Sequence, residues 1–250
     1  MLGFSYICSL MEIKTRLIVL RTVKYGDSRL IVDALTAEAG RVSFITSLSR
    51  TGRGKAKVQF FQPLSILDVV YDDRKGKGLP HFKDIRLAFP YVSIPFSPVK
   101  LSICLFLAEF LTYASRGENN NDHLAAFVEN SLRWLDGASA NYANFHLVFM
   151  MRVSLFIGFY PNMEGYSDGS WFDLRDSCFS PVCPPHPDYL SPADASRVRV
   201  LLRMTFENMH LFRMNREERN KCVEVIMMYY RLHVPDFPEL RSLEVLKTLF

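Results

Sequence analysis

Cysteine is scarce in this chain. Five residues, Cys8, Cys104, Cys178, Cys183 and Cys222, are scattered through 250. An odd, sparse set excludes a disulfide framework and suits a reducing compartment. Long apolar runs are missing as well: no stretch approaches the ~18 consecutive apolar residues of a membrane span. Met1 to Leu10 is apolar, but it has no basic n-region and soon meets Glu12 and Lys14, so it does not read as a signal peptide. Met11 is the alternative start. These absences predict a cytoplasmic protein with no membrane partner. Internal repeats and low-complexity tracts are also lacking.

The hallmarks of catalysis are thin. Gly52-x-Gly54-Lys55 has the wrong spacing for a P-loop, and Ala56 stands where a Mg²⁺-binding hydroxyl is needed. Gly165-Tyr166-Ser167-Asp168-Gly169 matches the G-x-S-x-G nucleophile elbow. That motif requires a strand before it and a helix after it, whereas here a helix precedes and a loop follows. His146, His210 and His233 stand singly on predicted helices and read as buried or interfacial. No carboxylate pair or Ser/His/Asp set emerges from spacing, so no enzyme is expected.

Apolar residues make up 49% and charged residues 22%, which describes a globular chain with a sizeable core. The net charge of +4 is unevenly distributed. Residues 1–90 carry 15 Lys and Arg against 8 Asp and Glu, a net of +7, and the remainder carries 15 against 18, a net of −3. A basic end suggests a polyanionic partner, and the alternative is a solvated basic surface.

Ile13 to Val23, Leu30 to Leu35, Val42 to Leu48, Leu64 to Tyr71 and His81 to Leu87 read as short strands separated by turn chemistry. Five such strands predict a small OB-fold-like barrel. Pro90, Pro95 and Pro98 mark a change of regime. Ser97-Pro98 and Ser191-Pro192 are helix starts, and Asp122 can cap a further helix. Tyr142 to Phe159 reads as a helix stopped by Pro161. Asn215 with Glu218 approximates a capping box for a helix ending near His233, and a last helix is predicted within Pro238 to Phe250. The predicted class is α+β, with a nucleic-acid-binding barrel over 1–90 and a helical domain over 91–250. An irregular loop insert lies at about 161–191.

The densest basic feature is Arg50-Thr51-Gly52-Arg53-Gly54-Lys55-Ala56-Lys57, followed by Phe60-Phe61. Glycine lets backbone approach a phosphate, and the cations neutralise it. Lys24, Arg29, Arg41, Arg74, Lys75 and Lys77 lie on or beside the other turns. All ten cations are candidate DNA contacts. Phe60 and Phe61 are expected in the core rather than on a base. In the insert, Cys178-x4-Cys183-x2-His186 offers three zinc donors, with Asp173, Asp176 or Asp188 as a fourth. The spacing fits no usual ligand set, so two free thiols and no cofactor are expected. Arg197, Arg199, Arg203, Arg213, Arg216 and Arg219 near apolar helix faces suit an acidic, hydrophobic peptide, or form a solvated face.

One string of motifs has a family likeness. The run from Lys14 to Ser28, then Thr36-Ala37-Glu38-Ala39-Gly40-Arg41, resembles the opening of the bacterial recombination-mediator RecO family. The likeness continues in the Arg50 to Lys57 loop, in Phe61-Gln62-Pro63 and in Phe149 to Pro161. It is specific over the first sixty or so residues and looser, mainly in architecture, beyond them. The resemblance implies an N-terminal OB-fold, a helical domain and a zinc-finger-like insert, here degenerate because two cysteine pairs are reduced to Cys178 and Cys183. It implies binding to single- and double-stranded DNA, strand annealing and recombinase loading in a nucleoid-associated setting. It also implies two partners, RecR and the acidic C-terminal tail of single-stranded DNA-binding protein. Carried over by position, Arg41, Arg50, Arg53, Lys55 and Lys57 would contact DNA. Arg152 would contact the tail, and Arg203, from the helical arginines above, is a second candidate for that contact. The rival reading is a protein-interaction adaptor whose barrel never touches nucleic acid.

Overall fold

The structure, a computed structural model, describes residues 11–47, 58–73, 78–117 and 122–249. They divide into two compact units, one within 1–90 with 119–125, the other within 91–118 and 126–250.

The first unit is built from β1 (Met11–Tyr25), β2 (Arg29–Thr36), β3 (Gly40–Ser47), β4 (Ile66–Asp73) and β5 (Phe82–Leu87). All neighbours are antiparallel, in the order β3-β2-β1-β4-β5. β1 is long enough to serve two partners. Met11 to Ile18 pairs with β4, and the stretch up to Tyr25 pairs with β2. The sheet then closes on itself. Ile45 bridges His81 in parallel, and its N–H donates to the Pro80 carbonyl at 3.0 Å. Closure gives the edge strands partners, and the arrangement is OB-like.

Alternation along the strands fills the barrel. Leu17, Val19, Leu30, Val32, Ala34, Phe44, Leu67, Val69 and Tyr71 meet inside, joined by Phe61 from a 3-10 turn at Val58–Phe61. Phe82 stacks on Phe44 at 4.5 Å and on Phe61 at 5.8 Å, and Tyr71 meets Phe44 edge-on. One irregularity matters for function. The register of β1 slips between Val19 and Arg21. There Val19, still opposite Ala34, also pairs on its other side with Leu64 and Ser65, donating to the Ser65 carbonyl at 3.0 Å and accepting from the Leu64 N–H at 2.7 Å. A bulge of one residue reverses the in–out alternation. Leu17 and Val19 point inward, whereas Arg21, Val23 and Tyr25 point outward.

The second unit is helical: α1 (Pro98–Ala114), α2 (Asp122–Gly137, its first turn in the other unit), α3 (Phe145–Phe156), α4 (Pro192–Arg203), α5 (Arg216–His233) and α6 (Ser242–Leu249). Ser97 caps α1, and the Asn215–Glu218 capping box is formed in both directions at 2.9 and 2.8 Å. α3 is buried almost all round, as expected of a central helix. It is shorter than the span Tyr142 to Phe159. The stop is Gly158 at φ +90 rather than Pro161, because glycine adopts the left-handed conformation that ends a helix without steric cost. At the start of α4 the Ser191 hydroxyl faces the Asp194 carboxylate at 3.2 Å instead of a backbone amide. The insert is not an irregular loop. It holds β6 (Trp171–Asp173), β7 (Cys178–Ser180) and β8 (Tyr189–Leu190) in the order β7-β6-β8. Strands this short carry no legible periodicity. What orders them is packing: Phe172, Leu174, Phe179 and Leu190 cluster with Ala195 and Val198 of α4 and Val225 and Tyr229 of α5.

Candidate nucleic-acid interface

The outer face of β1, β2 and β3 carries three cross-strand rows: Arg21–Asp33–Ser43, Val23–Ile31–Ile45 and Tyr25–Arg29–Ser47. Asp33 is the hub of the first row. Its Oδ2 accepts from Arg21 Nε at 2.6 Å and from Arg41 Nη2 at 3.0 Å, while Ser43 Oγ donates to its Oδ1. Arg41 lies two residues from Ser43 on β3, hence on the same face, diagonal to Asp33. Burial pushes the Asp33 carboxyl upward, but hydrogen bonds from Ser43, Arg21 and Arg41 outweigh it and hold it below its usual range. At the far end of the strip the Arg29 guanidinium sits 5.6 Å from the centre of the Tyr25 ring, and Tyr25 is 53% exposed. Val23, between the two ends, is exposed as well. Cations with an open aromatic and an apolar floor are the elements of a single-strand platform.

Of the ten predicted DNA contacts, three lie among the described residues. Arg29 and Arg41 stand on this strip. Lys24 is exposed but alternates to the opposite side of β1, opposite Leu30. Arg50, Arg53, Lys55, Lys57, Arg74, Lys75 and Lys77 lie outside the described residues. Phe61 is buried in the barrel core, and Phe60 packs against it. Sequence reasoning missed Arg21, Asp33 and Tyr25. Their types were visible, but the bulge that turns them to one face was not.

The turn bearing the family motif is built by its own residues. Thr36 Oγ1 donates to the Gly40 carbonyl at 3.0 Å and accepts from the Ala39 N–H at 3.1 Å. Gly40 sits at φ +61, and Glu38 reaches across to the Thr15 hydroxyl. The motif thus shapes the turn that starts β3 and delivers Arg41 to the strip.

The insert's donors do not fit a zinc site. Among the described residues no three His, Cys, Asp or Glu side chains are grouped to hold a metal. His186 Nε2 is engaged by Asp173 Oδ2 at 3.0 Å. Burial pushes the Cys178 thiol up, and Asp173 and Asp176 add to the shift. Ser167 shares a hydrogen bond with the Ser170 hydroxyl at 2.8 Å, and β6 follows it rather than a helix. The nucleophile-elbow setting is therefore absent.

In the helical unit, Arg152 stands half-buried on α3, its charge lowering the Glu207 carboxyl after Thr205 and the local backbone. Arg203 ends α4, exposed. A groove of about 290 Å³ is lined by Arg197, Val200, Phe212, Arg213 and Met214 among others. His146 is fully buried, and burial followed by the charge of Arg219 pushes its pKa down to about 3. His210 is exposed. His233 donates from Nε2 to the Leu174 carbonyl at 2.7 Å and stacks on Phe159, tying α5 to the insert.

Among known families, residues 11–91 match the Recombination protein O N-terminal family and residues 95–244 match the Recombination protein O C-terminal family. DNA repair protein RecO of Phocaeicola vulgatus is 48% identical over 95% of this chain and 98% of its own length. The proteins of the same name from Bacteroides fragilis and Azobacteroides pseudotrichonymphae are 45% and 36% identical, each over 95% of this chain and 98% of their own. With both halves matched and relatives this similar from end to end, the chain belongs to the RecO family of DNA repair proteins, which are non-catalytic recombination mediators.

Proposed function

We propose that this chain binds single- and double-stranded DNA through its barrel, promotes annealing, and helps load recombinase onto strands coated by single-stranded DNA-binding protein. Family membership implies DNA binding, and the outer strip from Arg21 to Tyr25 supports it most directly. There two guanidiniums, an exposed tyrosine and Arg29 share one face of an OB-like barrel, whose strand faces suit oligonucleotides. Lys24, Arg50, Arg53, Lys55, Lys57, Arg74, Lys75 and Lys77 supply further phosphate contacts in this reading. In this reading residues 1–90 are the DNA-binding domain and 91–250 the partner-docking domain. RecR and the acidic tail of single-stranded DNA-binding protein dock on the helical half. Arg152, carried over from the resemblance, and Arg203, one of the helical arginines beside apolar faces, are the tail contacts. The groove beside Arg197 and Arg213 pairs cations with the apolar Val200, Phe212 and Met214 and so supports the same chemistry. The setting is the cytoplasm, at the nucleoid.

The experiment is a salt-dependent titration with a labelled single strand, with and without the tail peptide. If ~5 phosphates are engaged, log K against log salt should slope by about −3.5. Reversing Arg53, Lys55 and Lys57 together should abolish most of that slope. A flat salt dependence, or full activity after reversal, would support the adaptor reading instead.

A further inference from the structure

Asp33 presents a puzzle if the β1–β2–β3 face binds DNA. A carboxylate on a polyanion-binding surface repels its ligand. Yet Asp33 stands on the central strand of that face, at one end of the strip, 4% exposed, and its two closest charged partners are arginines. Its geometry explains the arrangement. The carboxylate is itself held: Ser43 Oγ fixes Oδ1, leaving Oδ2 to take both guanidiniums. A free arginine side chain populates many rotamers, and ordering it on a ligand costs conformational entropy. Asp33 pays that cost in advance by binding Arg21 through Nε, so that the Arg21 Nη groups are not the ones taken up by the carboxylate, on a side chain that is 47% exposed.

The bulge places this pair in line with the other end of the strip. Arg21 and Tyr25 are four residues apart on one outward face, about 13 Å at ~3.3 Å per residue. That span matches about four stacked nucleotides at ~3.4 Å each, the lower end of what one OB-fold covers.

We propose that Asp33 is a positioning residue that sets Arg21 and Arg41 side by side as a phosphate grip, opposite the Tyr25–Arg29 end of the same strip. The proposal rests on the DNA-binding reading above and adds Arg21 and Asp33 to it. Asp33 touches no phosphate itself; it acts through the two arginines.

The sign of the effect separates positioning from plain electrostatics. Asp33→Asn removes a negative charge from a DNA-facing surface, so electrostatics alone predicts tighter binding. Positioning predicts weaker binding, by roughly tenfold, the size of one charge-assisted contact. It also predicts a salt slope shallower by about 0.7 to 1.4, one or two phosphates fewer. The measurement is anisotropy of a labelled oligothymidylate titrated with the full chain at several salt concentrations. Thermal melts of each variant report folding. Equal or tighter binding by folded Asp33→Asn, with an unchanged slope, overturns the proposal. Should Asp33→Asn fail to fold, the double variant Arg21→Lys with Arg41→Lys decides. It keeps both charges and loses the planar fork, so roughly tenfold weaker binding supports the grip and wild-type binding overturns it. The wild-type chain separates the two levels. Absence of salt-dependent binding by the wild type sinks the DNA-binding reading itself. Steep wild-type binding with an indifferent Asp33→Asn sinks only the role of Asp33.

Discussion

The ammonium of Lys100 donates to the backbone carbonyl of Asp136 at 3.1 Å, beneath the first turn of α1. The same ammonium reaches Ser93 Oγ and the Ala138 carbonyl, both at 2.6 Å. The Asp136 carboxylate meanwhile accepts from the backbone N–H groups of Val92, Ser93 and Ile94 at 2.8 to 2.9 Å. Both residues are only 3% exposed. Together they tie the chain that enters α1 to the end of α2. Asp136→Ala strips three sheltered N–H groups of their acceptor and leaves Lys100 without its nearby charge. It should cost about 3–5 kcal/mol in urea unfolding. Glu244→Ala, at a carboxylate that is 81% exposed, should stay within about 0.5 kcal/mol.

Buried His146 makes stability depend on pH. Its pKa falls from the ordinary 6.5 to about 3, so the unfolded chain takes up a proton through this window while the folded chain does not. Stability is therefore lost as pH falls below 6.5, by up to about 1.4 kcal/mol per unit. Urea melts between pH 6.5 and 4.5 isolate this group from Asp33 and Asp136, whose lowered carboxyls contribute only at more acid pH. His146→Asn should flatten the profile there. A variant with the wild-type slope would assign the dependence to another group.

The insert should hold its shape without metal. The protein purified without chelator should contain no stoichiometric zinc, and EDTA should leave the melting curve unchanged. Cys178→Ser and Cys183→Ser should each cost less than about 1 kcal/mol. Phe172→Ala, in the cluster that orders the small sheet, should cost about 3–5 kcal/mol. A large loss of stability on chelation would reverse this assignment.

Tyr25 should discriminate single strands from duplex. Its ring is exposed at the tip of the β1–β2 hairpin with Arg29 against it. Base stacking on such a ring is worth about 1–3 kcal/mol, and a duplex keeps its bases paired inside. Tyr25→Ala should weaken oligothymidylate binding by roughly 5- to 150-fold and leave duplex affinity within about twofold. Equal losses on both ligands would make Tyr25 a structural residue of the hairpin.

The strands, the caps of α1 and α5 and the family were legible in the sequence because each rests on local chemistry. Thr36 and Gly40 make their turn from neighbouring atoms, and Asn215 and Glu218 cap α5 across three residues. Such contacts hold whatever the rest of the chain does. The five strands announced themselves as short apolar and β-branched runs bounded by turn residues, and Leu30, Val32 and Ala34 of β2 are indeed buried in the barrel. Phe61 was rightly expected in the core, since an aromatic ring near apolar strands buries more area than it exposes. The insert was not legible, because strands of two or three residues have no period and are ordered by α4 and α5, which follow them in the chain. Nor was the outer strip. A register slip of one residue at Val19 and Arg21 decides which side of β1 faces out, and only pairing with β2 and with Leu64 and Ser65 sets it. The sequence by itself determined a basic OB-like barrel joined to a helical half. The tertiary structure alone decided that Arg21, Asp33, Arg41 and Tyr25 share one face, because facing depends on register, and register on residues far apart in the chain.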